Sequence, residues 1–329
     1  MEPNVPIVPQ PESAINNAPV LSQIPGQLEG PVSLFSSSWK FFKANWKILV
    51  PIVIAPSAAI YLGQIFVIGK NPILLLVAFV LIIAGIIFSI AMQPAAINTI
   101  QRLFADPGAK IDFKEQYRFG FKYFWSIILL VIITIPVFFG SAVLFFIPAI
   151  IVGGFTSMYV FALIIDDKKG FAALTESYSL VKGRWLEVFG RLLFLIIPAI
   201  VVGFVVSFIF GLLAGMVGAA STVGLIVTMV SNLIMSGILT PIFLVYMYKL
   251  YNSLKVSRLQ NVSTAGFKKW LVAFLVIGIV AMIMIPILAG ALFITTMNNA
   301  FRNRDESAQT LNQAISEYNK ALEESKVSQ

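Results

Sequence analysis

Long runs of apolar residues without a charged side chain dominate the pattern of this chain from residue 48 to residue 296. A helix needs about 20 apolar residues to cross the hydrocarbon core of a bilayer. The uncharged run between Arg191 and Lys249 has room for two crossings, and so does the run between Lys122 and Asp166. The pattern therefore predicts an all-α, polytopic transmembrane helix bundle. Its seven predicted spans are 48–69, 73–93, 125–146, 148–165, 192–214, 222–248 and 271–296.

Segments of different composition flank and divide the predicted spans. Residues 1–30 carry six prolines among polar residues, which predicts a disordered leader. Asp106-Pro107-Gly108 ends a helix that we expect to continue from the second span through Pro94. The predicted organisation is a six-span membrane domain over 31–255, an additional span over 256–297 and a helical tail over 298–329.

Composition agrees with a chain that is surrounded by lipid. Only 12% of its residues are charged, 58% are hydrophobic, and the mean hydropathy is +0.90. A soluble domain carries about 25% charged residues, so this chain has too few to cover a water-exposed surface. The sequence contains no cysteine and no histidine, which excludes disulfides and thiolate or imidazole metal sites. We expect no cofactor and no metal.

The net charge of +8 has an uneven distribution along the chain. On one side of the predicted bundle, 18 basic residues fall between the spans, whereas the opposite connections carry Lys70 alone. Because cytoplasmic loops of membrane proteins are enriched in Lys and Arg, the basic side is predicted to be cytoplasmic. The leader is then inside, the tail is extracytoplasmic, and the protein is expected in a bacterial inner membrane without a nucleic-acid partner.

A short segment with apolar residues at a 4-3-4 spacing precedes three of the spans, which predicts three interfacial amphipathic helices. Each would open a unit of one interfacial helix and one helical hairpin, over 31–104, 110–167 and 170–253. The competing interpretation is the general enrichment of aromatic and basic residues at membrane boundaries. The expected partners are membrane lipids with anionic headgroups, toward which the cations of these helices would point while the rings face the membrane. The predicted membrane-interface residues are Trp39, Lys40, Lys43, Trp46, Tyr117, Arg118, Lys122, Tyr178, Lys182, Arg184 and Trp185.

The third of these segments carries a family resemblance. It reads Asp-Asp-Lys-Lys-Gly-Phe-Ala-Ala-Leu-Thr-Glu-Ser-Tyr-Ser-Leu-Val-Lys-Gly-Arg-Trp over 166–185. It resembles the membrane domain of bacterial glycerophosphoryl diester phosphodiesterases and of related stand-alone multi-span proteins of unknown function. The resemblance covers roughly residues 31–255 and implies the membrane architecture. It does not imply hydrolase activity, because the chain has no histidine and no room for the catalytic domain.

The predicted spans contain few polar residues that could bind or conduct a solute. Asn232, Ser236 and Thr240 share one helix face and are candidates for a polar path, with hydrogen bonding between helices as the preferred alternative. Gly211 and Gly215 form a Gly-x-x-x-Gly pair, which favours packing against a neighbouring span of the same chain over a homodimer face. We expect the same packing for the Gly153-Gly154 pair.

The carboxylates at the end of the fourth span have two interpretations. Asp166 and Asp167 directly precede a predicted helix, so we expect them to cap its N-terminus rather than to bind a cation. An enzyme acting at the interface would need these residues to cooperate with Glu176 or Glu187. We expect no enzymatic active site.

The tail after the last span has an apolar pattern of its own. Ala308, Leu311, Ile315, Tyr318 and Leu322 follow a 3-4-3-4 pattern, which suits a short coiled coil or docking against a protein partner. Two heptads are marginal alone, so a frayed helix is the alternative.

The leading hypothesis is a non-enzymatic protein of envelope organisation or lipid handling. The alternative is a transporter or permease subunit for an uncharged or amphipathic solute.

Overall fold

The computed structural model describes residues 28–68, 71–144, 146–218, 221–258 and 263–327. Over these residues the chain forms ten helices and no strand. Residues 1–27 of the predicted leader, Lys70, residues 219–220 of the turn between the fifth and sixth spans, and the side chains of Tyr318 and Leu322 lie outside the described part. The helices are α1 (Pro31–Ile68), α2 (Pro72–Ala105), α3 (Phe113–Lys122), α4 (Phe124–Leu144), α5 (Phe146–Thr156), α6 (Tyr159–Ile165), α7 (Phe171–Val181), α8 (Trp185–Met216), α9 (Thr222–Val256) and α10 (Ala265–Val327).

Seven stretches of helix are long and apolar enough to cross a membrane, which confirms the predicted number of spans. They are α1, α2, α4, the α5–α6 pair, α8, α9 and the first part of α10. The chain is therefore a multi-pass integral membrane protein with an all-α bundle. The second span does continue through Pro94 to Ala105, as the sequence predicted.

Three details of the predicted elements differ in the structure. The first predicted interfacial helix is not a separate element, because α1 runs unbroken from Pro31 into the first span. Nothing between residue 31 and Pro51 interrupts its helical backbone, and the helix continues even through Pro51 and Pro56. The third predicted interfacial helix ends at Val181, so Trp185 opens the fifth span instead.

The fourth span contains a break that the sequence pattern did not predict. The chain turns at Ser157 and Met158, between α5 and α6. The hydroxyl of Ser177 on α7 accepts a hydrogen bond from the Met158 N–H at 3.0 Å and donates one to the Phe155 carbonyl at 2.7 Å. Since an unsatisfied backbone group in an apolar core costs several kcal/mol, this side chain makes the break tolerable.

The buried core lies at the end of the bundle that carries most of the Lys and Arg residues, which we call the basic end. On α2 most buried residues lie between Ala91 and Leu103, and on α9 most lie between Pro241 and Leu254. The opposite halves of the same helices expose apolar side chains such as Ile73 and Val223. Those side chains face the surrounding hydrocarbon in an integral membrane protein.

Glycines allow the closest helix contacts. Helix α10 packs mainly on α4, where the Gly278 backbone lies against the Pro136 carbonyl and the Gly140 backbone lies against the Phe274 carbonyl. A Cβ at either glycine would overlap backbone atoms of the other helix. Such small-residue crossings let helix backbones approach in the membrane, where burial of apolar surface no longer drives association.

We expect Gly278→Ala to destabilise the protein, because the added methyl group would push α10 away from the Pro136 carbonyl. Overpacking of this kind costs about 1–3 kcal/mol. The measurement is the midpoint of thermal unfolding in detergent, followed by circular dichroism. Gly266→Ala in the first turn of the same helix is the control, because its Cβ would meet no atom within 4 Å. Equal midpoints for the two variants would contradict the packing.

Candidate functional site at the basic end of the bundle

A partly buried carboxylate connects the fourth span to the end of α9. Asp166 directly follows α6, and its side chain is only 16% exposed. The Lys255 ammonium donates to one carboxylate oxygen at 2.6 Å, and the Tyr251 hydroxyl donates to the other. A carboxylate at a helix C-terminus opposes the helix dipole. The cation and the phenol offset this unfavourable position.

A second set of contacts joins α7 and the start of α8 to the residues that follow α9. Arg258 donates to the Glu176 carboxylate at 2.9 and 3.4 Å and to the Ser179 hydroxyl at 2.9 Å. Arg184 donates to the Ser257 hydroxyl at 2.7 Å. Together with the Asp166 contacts, these bonds form the corner network, which consists of Asp166, Glu176, Ser179, Arg184, Tyr251, Lys255, Ser257 and Arg258.

The predicted capping role of the two aspartates is wrong. Asp166 lies at the C-terminal end of α6, and Gly170 occupies the N-cap position of α7. Gly170 has a φ of 53°, which glycine adopts without strain, so the chain reverses over these residues. Asp167, also at positive φ, lies near Lys169 and Tyr123. Burial and the Asp167 carboxylate raise the pKa of Tyr123, so its phenol stays neutral.

The third predicted interfacial segment packs against protein rather than lipid. Leu174 and Val181 on α7 are fully buried, and the Tyr178 ring stacks on Phe267 of α10 at 3.9 Å between centroids. Lys182 lies over the Tyr178 ring and donates to the Ser263 carbonyl at 3.4 Å. The apolar spacing predicts a lipid-facing side, but a buried side of a helix has the same periodicity, and here the side is buried.

Trp185 is likewise a packing residue. Its indole N–H donates to the Ile151 carbonyl at 3.1 Å, and its ring lies against the Gly154 backbone. The predicted packing of Gly154 against a neighbouring span is thereby confirmed. The same prediction for Gly211 and Gly215 is wrong, because a Cβ at either position would meet no atom within 4 Å.

Two other helices, α1 and α3, present exposed cations that form no ion pair with a described residue. Lys40, Lys43 and Lys47 are exposed on α1 at a 3-4 spacing, and we call them the α1 stripe. Exposed cations at a 4-4 spacing on α3 form the α3 stripe. Its members are Lys114, Arg118 and Lys122. Among the described residues, none of the six cations forms an ion pair.

Exposed tryptophans accompany both stripes. Trp39 and Trp46 on α1 are 37% and 50% exposed, and Trp125 after α3 is 76% exposed. The Lys43 ammonium lies 5.9 Å from the centroid of the Trp39 ring. Tryptophan side chains concentrate at the headgroup level of membranes. The predicted headgroup contact of Trp39 and Trp46 stays a prediction, and their exposed indoles are compatible with it.

Tyr117 has a different role from the one predicted for a headgroup contact. Its hydroxyl donates to the Ile52 carbonyl of α1 at 2.6 Å, and its ring packs on Phe88 of α2. On the same face of α3, the Gly120 backbone lies against the Ala91 carbonyl. Helix α3 thus has one side fixed to the bundle, while its cations occupy the other.

One long-range contact could not be seen in the sequence. The Arg191 guanidinium, 11% exposed, donates to the Glu29 carbonyl at 2.8 Å and to the Leu28 carbonyl at 3.1 Å. The Tyr246 hydroxyl in turn donates to the Arg191 carbonyl at 3.1 Å. This arrangement holds the residues just before α1 against α8 and α9.

The candidate polar path lies on the half of α9 away from the basic end. The Asn232 amide is exposed and donates to the Thr228 carbonyl of its own helix at 2.8 Å. The Ser236 hydroxyl donates to the Leu233 carbonyl at 3.3 Å, and Thr240 is partly buried. Among the described residues these bonds of Asn232 and Ser236 stay within α9, so the expected hydrogen bonding between helices is wrong for both. The path stays a prediction.

Comparisons with family models, curated proteins and solved structures give no match for this chain. The resemblance to the phosphodiesterase membrane domain therefore stays a hypothesis. Within the described residues, no group of three or more acidic, histidine or cysteine side chains is arranged to hold a metal ion. The feature of the basic end that bears on function is the contrast between the paired cations of the corner network and the exposed cations of the two stripes.

We expect Asp166→Asn to lower the stability of the protein, because the amide loses the charge that pairs with Lys255. A hydrogen bond to a charged group contributes about 1.5–3 kcal/mol. The matched control is Asp167→Asn, which changes the adjacent carboxylate, 64% exposed and 3.9 Å from Lys169. Thermal unfolding in detergent should show a lower midpoint for the first variant only. A larger effect from Asp167→Asn would contradict the role of the corner network.

Proposed function

We propose that this chain is a non-enzymatic membrane protein that binds anionic lipids of the cytoplasmic leaflet and acts in envelope organisation or lipid handling. The observation that carries the proposal is the contrast between two sets of cations at the basic end, the corner network and the two stripes. Arg184, Lys255 and Arg258 are bound to protein groups of the corner network. The α1 and α3 stripes are exposed and form no ion pairs within the described residues.

Energetics support a lipid headgroup as the ligand of the stripes. A Lys or Arg near an anionic leaflet contributes about 1 kcal/mol of attraction. Each stripe places three cations on one side of a helix that is fixed to the bundle, so little backbone conformational entropy is lost on binding. The exposed Trp39, Trp46 and Trp125 lie beside the stripes and match the headgroup region.

The same distribution of charge supports the orientation. With the basic end in the cytoplasm, the positive-inside rule is satisfied, the leader is inside and the tail is outside. A bacterial inner membrane rich in anionic phospholipid would supply the ligand. The carboxylates that an interfacial enzyme would need have structural partners instead, since Asp166 binds Lys255 and Glu176 binds Arg258.

Vesicles of phosphatidylcholine with a minor fraction of phosphatidylglycerol provide the test. The protein is reconstituted, and the enrichment of spin-labelled phosphatidylglycerol over spin-labelled phosphatidylcholine at its surface is measured. We expect enrichment that falls with salt. Neutralising one stripe, as K40Q/K43Q/K47Q or as K114Q/R118Q/K122Q, should weaken binding at that stripe by about fivefold per cation removed, the equivalent of about 1 kcal/mol each.

The control variant R302Q/K320Q/K326Q removes three cations from the tail and leaves both stripes intact. It separates a local effect of the stripes from a general effect of net charge. We expect it to retain the enrichment of the unmodified protein. Equal losses in the stripe variants and the tail variant, or no enrichment in the unmodified protein, would contradict the proposal.

A further inference from the structure

The last helix continues far beyond the membrane. Helix α10 has 63 residues from Ala265 to Val327, which corresponds to about 95 Å at 1.5 Å per residue. Its contacts with α4 and α7 involve its first part, near Phe267, Phe274 and Gly278. From residue 282 to residue 316 every residue is exposed. The part after residue 296 extends for about 45 Å.

One apolar stripe follows this exposed length without a change of spacing. Its positions alternate in steps of three and four residues, the spacing of the a and d positions of a coiled coil. We call this stripe the α10 seam. Its members are Ile287, Gly290, Ile294, Met297, Phe301, Arg304, Ala308, Leu311 and Ile315, and the sequence continues the spacing at Tyr318 and Leu322.

The α10 seam is apolar except at one position. Phe301, Leu311 and Ile315 are 56%, 62% and 50% exposed. Beyond the apolar span these rings and aliphatic chains would face water. Burial of apolar surface is worth about 25 cal/mol per Å², so a partner along this seam would stabilise a helix that is marginal alone.

The flanks of the α10 seam favour an identical copy as the partner. After Asp305, the e and g positions beside it in the tail are the uncharged Ser307, Asn312 and Ala314, continued in the sequence by Asn319 and Ala321. Charges at these positions select a different partner or repel an identical one, and here they are absent over two heptads. The small side chains at the g positions also allow the two helices to approach each other closely.

The one charged position of the α10 seam is compatible with the same partner. Arg304 occupies a d position and is followed directly by Asp305 at an e position. In a parallel pair, a d residue lies beside the d and e residues of the other helix. The Arg304 side chain of each copy would therefore lie near the Asp305 carboxylate of the other.

The membrane adds an independent geometric argument. All copies of one integral membrane protein share a single orientation, so their α10 helices leave the bilayer in the same direction and at the same height. The seams of two copies are then parallel and in register without further selection. A soluble partner would lack this alignment.

We propose that α10 forms a parallel, in-register coiled coil with α10 of a second copy of this chain, through the α10 seam. The pairing begins within the membrane at Ile287 and continues along the tail. It makes the protein a dimer whose two bundles are joined by their last helices. This inference does not depend on the lipid-binding proposal, since it uses none of the same residues.

Single introduced cysteines test the pairing, because the natural chain contains none. Leu311→Cys and Ile315→Cys place the thiols in the seam, and Gln313→Cys places one on the opposite side of the same helical turn. Cysteines at matched seam positions of a parallel pair come within the 4.4–6.8 Å Cα separation that a disulfide needs. Each variant of the full chain is reconstituted at low protein-to-lipid ratio and oxidised with copper phenanthroline.

We expect disulfide-linked dimers from the two seam variants and at most a trace from Gln313→Cys. Equal cross-linking at all three positions would indicate random collision and overturn the proposal. Monomers at both seam positions would overturn it as well. In native membranes, adducts of Leu311→Cys with a protein of another mass, in place of the dimer, would assign the seam to a different partner.

A second set of variants separates pairing from folding. Ala308→Cys should form the same dimers, and the added changes Leu311→Glu and Ile315→Glu should abolish them by placing charges in the seam. The adjacent pair Gln309→Glu and Gln313→Glu adds the same charge outside the seam and should leave cross-linking of Ala308→Cys intact. Loss of the dimer in both backgrounds would contradict the proposed register.

Discussion

The absence of water in the hydrocarbon core is the constraint on which this structure depends. Every backbone N–H and C=O within the bilayer must find a partner in the protein, so each span is helical. The constraint is most visible at the break between α5 and α6, where regular helical bonding stops within the fourth span. The Ser177 hydroxyl bonds both sides of the break, and this requires α7 to lie against it. A segment predicted to lie on lipid is thereby held inside the protein.

Charge placement follows from the same low-dielectric surroundings. A cation near the hydrocarbon must either reach water and headgroups or bind an acceptor within the protein. Lys255, Arg258 and Arg191 bind acceptors within the protein, and they connect segments that are far apart in the sequence. The cations of the α1 and α3 stripes are instead exposed at the surface. The basic end therefore combines an internal framework of ion pairs with an outer set of cations available to lipid.

The two ends of the molecule are specialised in different ways. At the basic end, buried side chains concentrate and the stripes surround them. At the opposite end, the spans face lipid, and among the described helices α10 is the one that continues as a long exposed helix. A protein that holds anionic lipid at one surface and pairs through a rod at the other would organise lipids and its own copies together. That combination suits a role in envelope organisation.

The sequence by itself determined the class of fold, the number of spans and the continuation of the second span through Pro94, because the apolar period and the need for internal hydrogen bonds are local properties. It also located the cations of α1 and α3. It could not distinguish a lipid-facing side of a helix from a protein-facing one, since both are apolar, so Tyr178 and Trp185 were assigned to the interface. The partners of Asp166, Arg191 and Gly278 were decided only by the tertiary structure, because each contact joins residues that share no local pattern and meet only when the helices pack.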